Sequence, residues 1–246
     1  GSHGDKVRFV SRTDLLPIHS NQIKEVKKLT EETYEISFLD EFPKEVTAFC
    51  AIENTTYMAS FRMVNCSVKQ NRARSILIST PKKVEVLNNY FSSMMAGVRI
   101  CGDANYWFES GPVQEVIIKG NIFEDLAIGG HNPQAILQID PIISKKYRNN
   151  GYFHRNILFE DNTIKAFDPL IVYALSVDGL TIRNNTIIKT STYDEIFSDL
   201  SQFDIQNSRA VTIENNIYEG NQLAQISLKD CEDVKVGDQT GFSGKI

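Results

Sequence analysis

The sequence predicts an all-β protein, a right-handed parallel β-helix of about six to seven coils carrying a small N-terminal antiparallel β subdomain, and three observations predict it. A short pattern of alternating apolar residues ending in Asn recurs along most of the chain. The distance between copies keeps returning to one short interval. The residues are those of strands, rich in Ile, Val, Phe and Asn with alternation at period two, which argues against a helical repeat.

The recurring unit reads apolar-x-apolar-x-x-Asn-x-apolar. It appears as VEVLNNYF (84–91), VIIKGNIF (116–123), ILFEDNTI (157–164), LTIRNNTI (180–187) and VTIENNIY (211–218). A degenerate copy, FRMVNCSV (61–68), precedes these and a weak one, VKVGDQ (234–239), follows. Its sixth position is Cys66, Asn89, Asn121, Asn162, Asn185, Asn216 and Gln239, at intervals of 23, 32, 41, 23, 31 and 23 residues. The interval of 23 is one coil, and the longer ones are that coil with a loop inserted. A second alternating segment follows each Asn: SILIS (75–79), GVRIC (97–101), AILQID (135–140), LIVYAL (170–175), QFDIQ (202–206) and AQISL (224–228). Coils so wound stack about 4.8 Å apart, so their apolar positions form an interior stripe and their Asn side chains a ladder.

The first sixty or so residues do not fit the repeat. DKVRFV, QIKEVKKL and TYEISFLD, all within 5–40, alternate like strands, with turns at Leu16-Pro17 and at 30–32 and a stop at Phe42-Pro43. The organisation read from this is a tag remnant over 1–3, an antiparallel subdomain over 4–57 and the β-helix over 58–246. A solenoid end must be covered, so either the subdomain covers the coil at Phe61 or further coils precede it.

Composition excludes several function classes. The net charge of −5, with Lys and Arg scattered, offers no basic face to a nucleic acid. No apolar run reaches the roughly 18 to 20 residues of a membrane span. The four cysteines lack CxxC spacing, so they give neither a zinc site nor a disulfide framework and read as small buried residues. No oligomeric state is legible.

Sites on such a solenoid lie where loops are inserted, here 97–155. That window opens on GDANYWFESG (102–111), where Asp103, Asn105, Tyr106, Trp107 and Glu109 combine an aromatic platform with carboxylates and an amide, the recipe for a sugar. The alternative is an ordinary turn with Trp packed beneath it. Glycosidic hydrolysis needs two carboxyl groups, and Asp103 and Asp140, each following the second segment of neighbouring coils, are a candidate pair beside Glu109. Arg72 and Arg74 in QNRARSILIST could fork onto a carboxylate or sugar hydroxyls. His131 in GGHNP is a further polar candidate, against a solvated-histidine reading.

NRARSILIST, VEVLNNYF and GDANYWFESGPVQEVIIKGNIFED together resemble the family 110 glycoside hydrolases, the bacterial α-1,3-galactosidases. The resemblance implies a parallel β-helix with a small β-barrel insertion, acting as an inverting exo-hydrolase on terminal α-linked galactose of glycans, with no metal and no cofactor. It implies that Arg72, Arg74, Asp103, Asn105, Trp107 and Glu109 line or support the galactose pocket, and that the protein is secreted or periplasmic in a bacterium. The adjacent-aspartate motif of that family is missing, since no Asp-Asp pair occurs, so the sequence looks like the C-terminal part of such an enzyme. The competing reading is a non-catalytic β-helix that binds glycans or serves as a scaffold. A polysaccharide lyase would call for clustered carboxylates around calcium, and no such cluster is evident in the sequence.

Overall fold

The computed structural model describes residues 1–109, 111–129 and 132–244, and among these the strands assemble into one antiparallel sheet and three parallel ones. From Phe61 onward the chain visits three faces in rotation. Face I holds Phe61–Val64, Val84–Leu87, Val116–Lys119, His154–Glu160, Val177–Arg183, Arg209–Glu214 and Glu232–Val236. Face II holds Ser67–Asn71, Tyr90–Ser93, Ile122–Glu124, Thr163–Ala166, Thr186–Lys189 and Ile217–Glu219. Face III holds Ile76–Ile78, Val98–Ile100, Leu137–Ile139, Val172–Leu175, Phe203–Gln206 and Ile226–Lys229. Each strand pairs in parallel with the equivalent strand one coil away, which is the arrangement of a parallel β-helix.

The eight-residue unit therefore spans two faces and the corner between them. Its fifth residue is Asn65, Asn88, Gly120, Asp161, Asn184 or Asn215, each at a φ between 55° and 67°. Asn, Asp and Gly tolerate this left-handed conformation best, which is why these types recur there. The next residue turns inward as the ladder. Asn162 Oδ1 accepts from the Asn121 backbone N–H (2.9 Å) and from Asn121 Nδ2 (3.0 Å), while Asn162 Nδ2 donates to Asn185 Oδ1 (2.9 Å) and to the Ile118 carbonyl (3.1 Å). The same bonds repeat from Asn89 through Asn216 to Gln239. At the other end the Cys66 N–H donates to Asn89 Oδ1. Every amide in this buried column is satisfied, as a buried polar group must be.

Inward positions of the three faces fill a continuous core that includes Val86, Ile118, Phe159, Ile182 and Ile213 on face I, and Ile100, Ile139 and Ile205 on face III. The Phe91 and Phe123 rings stack at 5.2 Å, and Phe159 follows at 5.9 Å. One-sided alternation of this kind fixes the register, because a slip by one residue would turn every outward side chain into the core.

The antiparallel sheet runs Tyr34–Phe38, Pro17–Lys28, Lys6–Val10, Ala51–Asn54. Pro17 opens a strand, so the reversal lies at 11–16, closed by the Ser11 N–H on the Leu16 carbonyl. The sheet packs Val7, Phe9 and Ile23 against Val26, Phe38 and Val46. It bonds to inserted loops of the solenoid at Ala104, Asn105 and Asn150, while Phe61 on the first coil stays exposed. The cysteines depart from expectation: all four are free thiols, but only Cys101 is buried, and Cys66 is exposed because it occupies the ladder position of the first coil.

Asn162→Ala should cost about 2 to 4 kcal/mol in urea unfolding, since it orphans donors and acceptors in the buried column. Asn184→Gly keeps the left-handed corner and should stay within about 0.5 kcal/mol.

His154 supplies a pH signature. Full burial pushes its pKa down to about 3, and its Nδ1 accepts the Val113 N–H at 3.2 Å. The unfolded chain takes up a proton near pH 6.5 that the folded chain refuses. Stability should therefore fall as pH drops from 6.5 toward 3, by about 1.4 kcal/mol per pH unit. Denaturation midpoints across that window, compared with His154→Gln, check this slope.

Candidate active site

The segment 102–111 leaves face III after Val98–Ile100 and wedges between the solenoid and the antiparallel subdomain. Both framing glycines are required. A Cβ on Gly102 would lie 2.2 Å from the Phe153 ring, and Gly111 has φ +88° with Pro81 and Glu53 close by. Between them the buried Asp103 carboxylate accepts backbone N–H bonds from Asn105 (2.7 Å), Tyr106 (3.1 Å) and Trp107 (2.6 Å). Asn105 Nδ2 donates to the Arg12 carbonyl (2.8 Å), and Arg12 Nε returns a bond to Ala104 (3.0 Å). Leu15, Ala104, Ile143 and Phe153 pack beneath as a small second core.

This fastening holds an aromatic crest in solvent. Trp107 is 81% exposed, Tyr106 78% and Phe108 61%. Phe108 has φ 52°, a conformation that costs a bulky residue about 1 to 3 kcal/mol, and the Arg12 guanidinium sits 5.8 Å from its ring centroid. Exposed, pre-positioned rings are what an apolar sugar face packs against.

Beside the crest, the outer side of face III carries a charged cluster. Asp140 is gripped by Arg99 through Nε–Oδ1 (2.8 Å) and Nη2–Oδ2 (2.9 Å), and Gln138 Nε2 reaches Oδ2 at 3.2 Å. Burial pushes the Asp140 carboxyl above its ordinary range, and the Arg99 fork and the charge of Arg74 only partly offset this. Burial likewise pushes the Cys101 thiol up to about 12, helped by Asp140 and Glu109, so Cys101 stays a neutral thiol flanked by two carboxylates. Arg74 Nε is buried with no partner among the described residues.

The structure thus gathers Glu109, Asp140 and Arg74, and adds Arg99, Cys101 and Gln138, which sequence reasoning missed. An Arg on an alternating strand reads as a solvated face, and only its position in register with Gln138 could have flagged it. Asp103 is placed differently from expectation. Ile100 pairs with Ile139, so the register sets Cys101 beside Asp140, and the Asp103 oxygens are engaged in holding the loop. Arg72 is exposed beyond the cluster. His131 lies outside the described residues. Asp178 bridges Arg155 (2.7 Å) and Arg209 (2.8 Å) on face I as a structural pair.

Fold and cluster define a class: a parallel β-helix protein with an antiparallel β subdomain locked beside an outward carboxylate–guanidinium site. The chain is similar to alpha-1,3-galactosidase A of Bacteroides fragilis, 34% identical over 220 residues that cover 88% of this chain and 36% of the relative. It is 33% identical to alpha-1,3-galactosidase B of Bacteroides thetaiotaomicron, over 100% of this chain and 40% of that protein. It is 32% identical to alpha-1,3-galactosidase B of Akkermansia muciniphila, over 98% and 30% respectively. The chain therefore spans between 30% and 40% of the length of these relatives. The resemblance read from NRAR and GDANYWFESG is borne out. No family model matches the chain.

Removing the Asp103 carboxylate should free the crest without unfolding the solenoid. Trp107, the sole tryptophan, reports this directly: Asp103→Ala should lower its fluorescence anisotropy while the far-ultraviolet dichroism is unchanged.

Proposed function

We propose that this chain is part of an inverting exo-α-1,3-galactosidase and that its site receives the terminal α-linked galactose of a glycan. The observation that carries the reading is similarity to α-1,3-galactosidases across 88 to 100% of the chain. The clustered Glu109, Asp140 and Arg99 beside the Trp107 crest support it. The winding is right-handed, as nearly all parallel crossovers are, with six full coils and the start of a seventh. A piece of a longer enzyme fits the share of its relatives that the chain covers; the resemblance alone puts it in the C-terminal part of a secreted or periplasmic bacterial protein.

In this reading Asp140 and Glu109 are the two carboxyl groups. The Arg99 fork orients Asp140 and favours its ionised form, while burial strengthens it as a base toward water. Glu109, which reaches the same cluster beside Cys101, is the second carboxyl group that glycosidic hydrolysis requires. Arg74 holds sugar hydroxyls and Trp107 the ring face. A second reading is a glycan-binding β-helix without catalysis, in which the Asp103 carboxylate, held by three backbone amides, serves to fasten the Trp107 crest.

Galactose release from an α-1,3-linked galactose disaccharide by the longer protein that carries this segment, with calorimetric binding as a parallel signal, separates the readings. Release that falls at least about 100-fold in Asp140→Asn supports the hydrolase. Binding without release supports the second reading, and neither binding nor release sinks both. In Arg99→Gln the Asp140 carboxyl loses the partner that lowers its pKa, so the acid limb of kcat/KM should move to higher pH.

A further inference from the structure

Two and three coils beyond Asp140, the loops 190–202 and 219–225 line a cavity of about 570 Å3. At one β-sheet spacing per coil it lies about 10 to 14 Å along the solenoid from the cluster. Leu200 lines both this cavity and the groove over Asp140, Tyr173 and Asp204, so the two are neighbours across one side chain.

We propose that this cavity is a second carbohydrate subsite, taking the neutral sugar residues that follow the terminal galactose. The proposal rests on the galactosidase reading of the cluster. Its walls are preorganised: the buried Asp168 carboxylate accepts the Ile196 (2.7 Å) and Phe197 (3.2 Å) N–H groups, and Tyr193 packs edge-on against Phe167 at 5.3 Å. Tyr218 is held between Phe242 at 6.1 Å and Gly220, where a Cβ would lie 2.5 Å from the ring. Around that ring stand Asn221, Gln222, Gln225 and Gln202. Gln202 Oε1 accepts the Gln225 N–H at 2.6 Å, which orients its amide.

The chemistry selects a neutral polyol. Amides donate and accept at once, as hydroxyls require, and the Tyr218 ring edge is an apolar surface for a sugar face. An anion finds no unengaged cation there, because Lys189 pairs with Glu195 (2.7 Å) and also donates to the Phe167 carbonyl.

Calorimetric titration with an α-1,3-galactosyl disaccharide and with a neutral pentasaccharide bearing the same terminal disaccharide tests this. The pentasaccharide should bind about tenfold tighter. Asn221→Ala with Gln222→Ala, both exposed loop residues, should erase that difference and leave disaccharide binding unchanged. Gly220→Ala, which drives a methyl into Tyr218, should do the same. Equal affinity for the two sugars in the unaltered protein overturns the subsite while leaving the galactose site standing. A difference that survives both variants also overturns it, and no binding of either sugar sinks both the subsite and the galactosidase reading.

Discussion

The column of side-chain amides from Asn89 to Gln239 is the constraint on which the rest of the molecule depends. The five Asn amides are buried, so each must find its partners one coil away or cost the chain its desolvation. That fixes how every coil sits on the next. Register then follows on all three faces, and with it the stacking of Arg99 on Gln138 and the placement of Asp140 at the end of its strand. A site made of outward residues from different coils is thus set by an interaction on the opposite corner of the cross-section.

The inserted loops use that rigid frame differently from one another. The loop after Val98–Ile100 is fastened by a carboxylate capping its own backbone, by two bonds to the antiparallel subdomain and by the Phe153 ring under Gly102. The result is a crest of aromatic rings held against solvent at a cost in backbone strain at Phe108. Neither that strain nor the exposed apolar area contributes to folding, which is why the proposed function assigns the crest to the sugar. The loop at 190–202 is held instead by a buried aspartate beneath it and leaves amides at its rim.

Much of the fold could be read before any coordinates, and particular residues show why. The ladder positions were visible because a buried amide column tolerates only Asn or its near relatives, so chemistry and spacing coincide. The left-handed residue before each of them carried a signal of its own, in the Asn-Asn, Gly-Asn and Asp-Asn pairs. The site was less legible. Asp103 reads identically as a catalytic acid or as a loop cap, because the difference lies in three amide directions that no spacing encodes. Arg99 was hidden for the opposite reason: outward charge on a strand is ordinary, and only the partner brought alongside by a 41-residue excursion makes it part of a site. Cys66 misled because a small apolar residue at a ladder position suggests burial, whereas the first coil has no neighbour on that side among the described residues.

Gln239 closes the column in a way that reaches beyond this fold. Its longer side chain accepts from Asn216 and turns both N–H bonds back onto the Ile213 and Gly237 carbonyls. Neither side-chain N–H of Gln239 is left over for a further rung. A stack of parallel strands is a template on which a further chain could grow, and fibrils lengthen by offering such unsatisfied rungs. One added methylene thus turns the amide of Gln239 back onto its own coil and the coil before it, instead of outward as a rung that a further strand could extend.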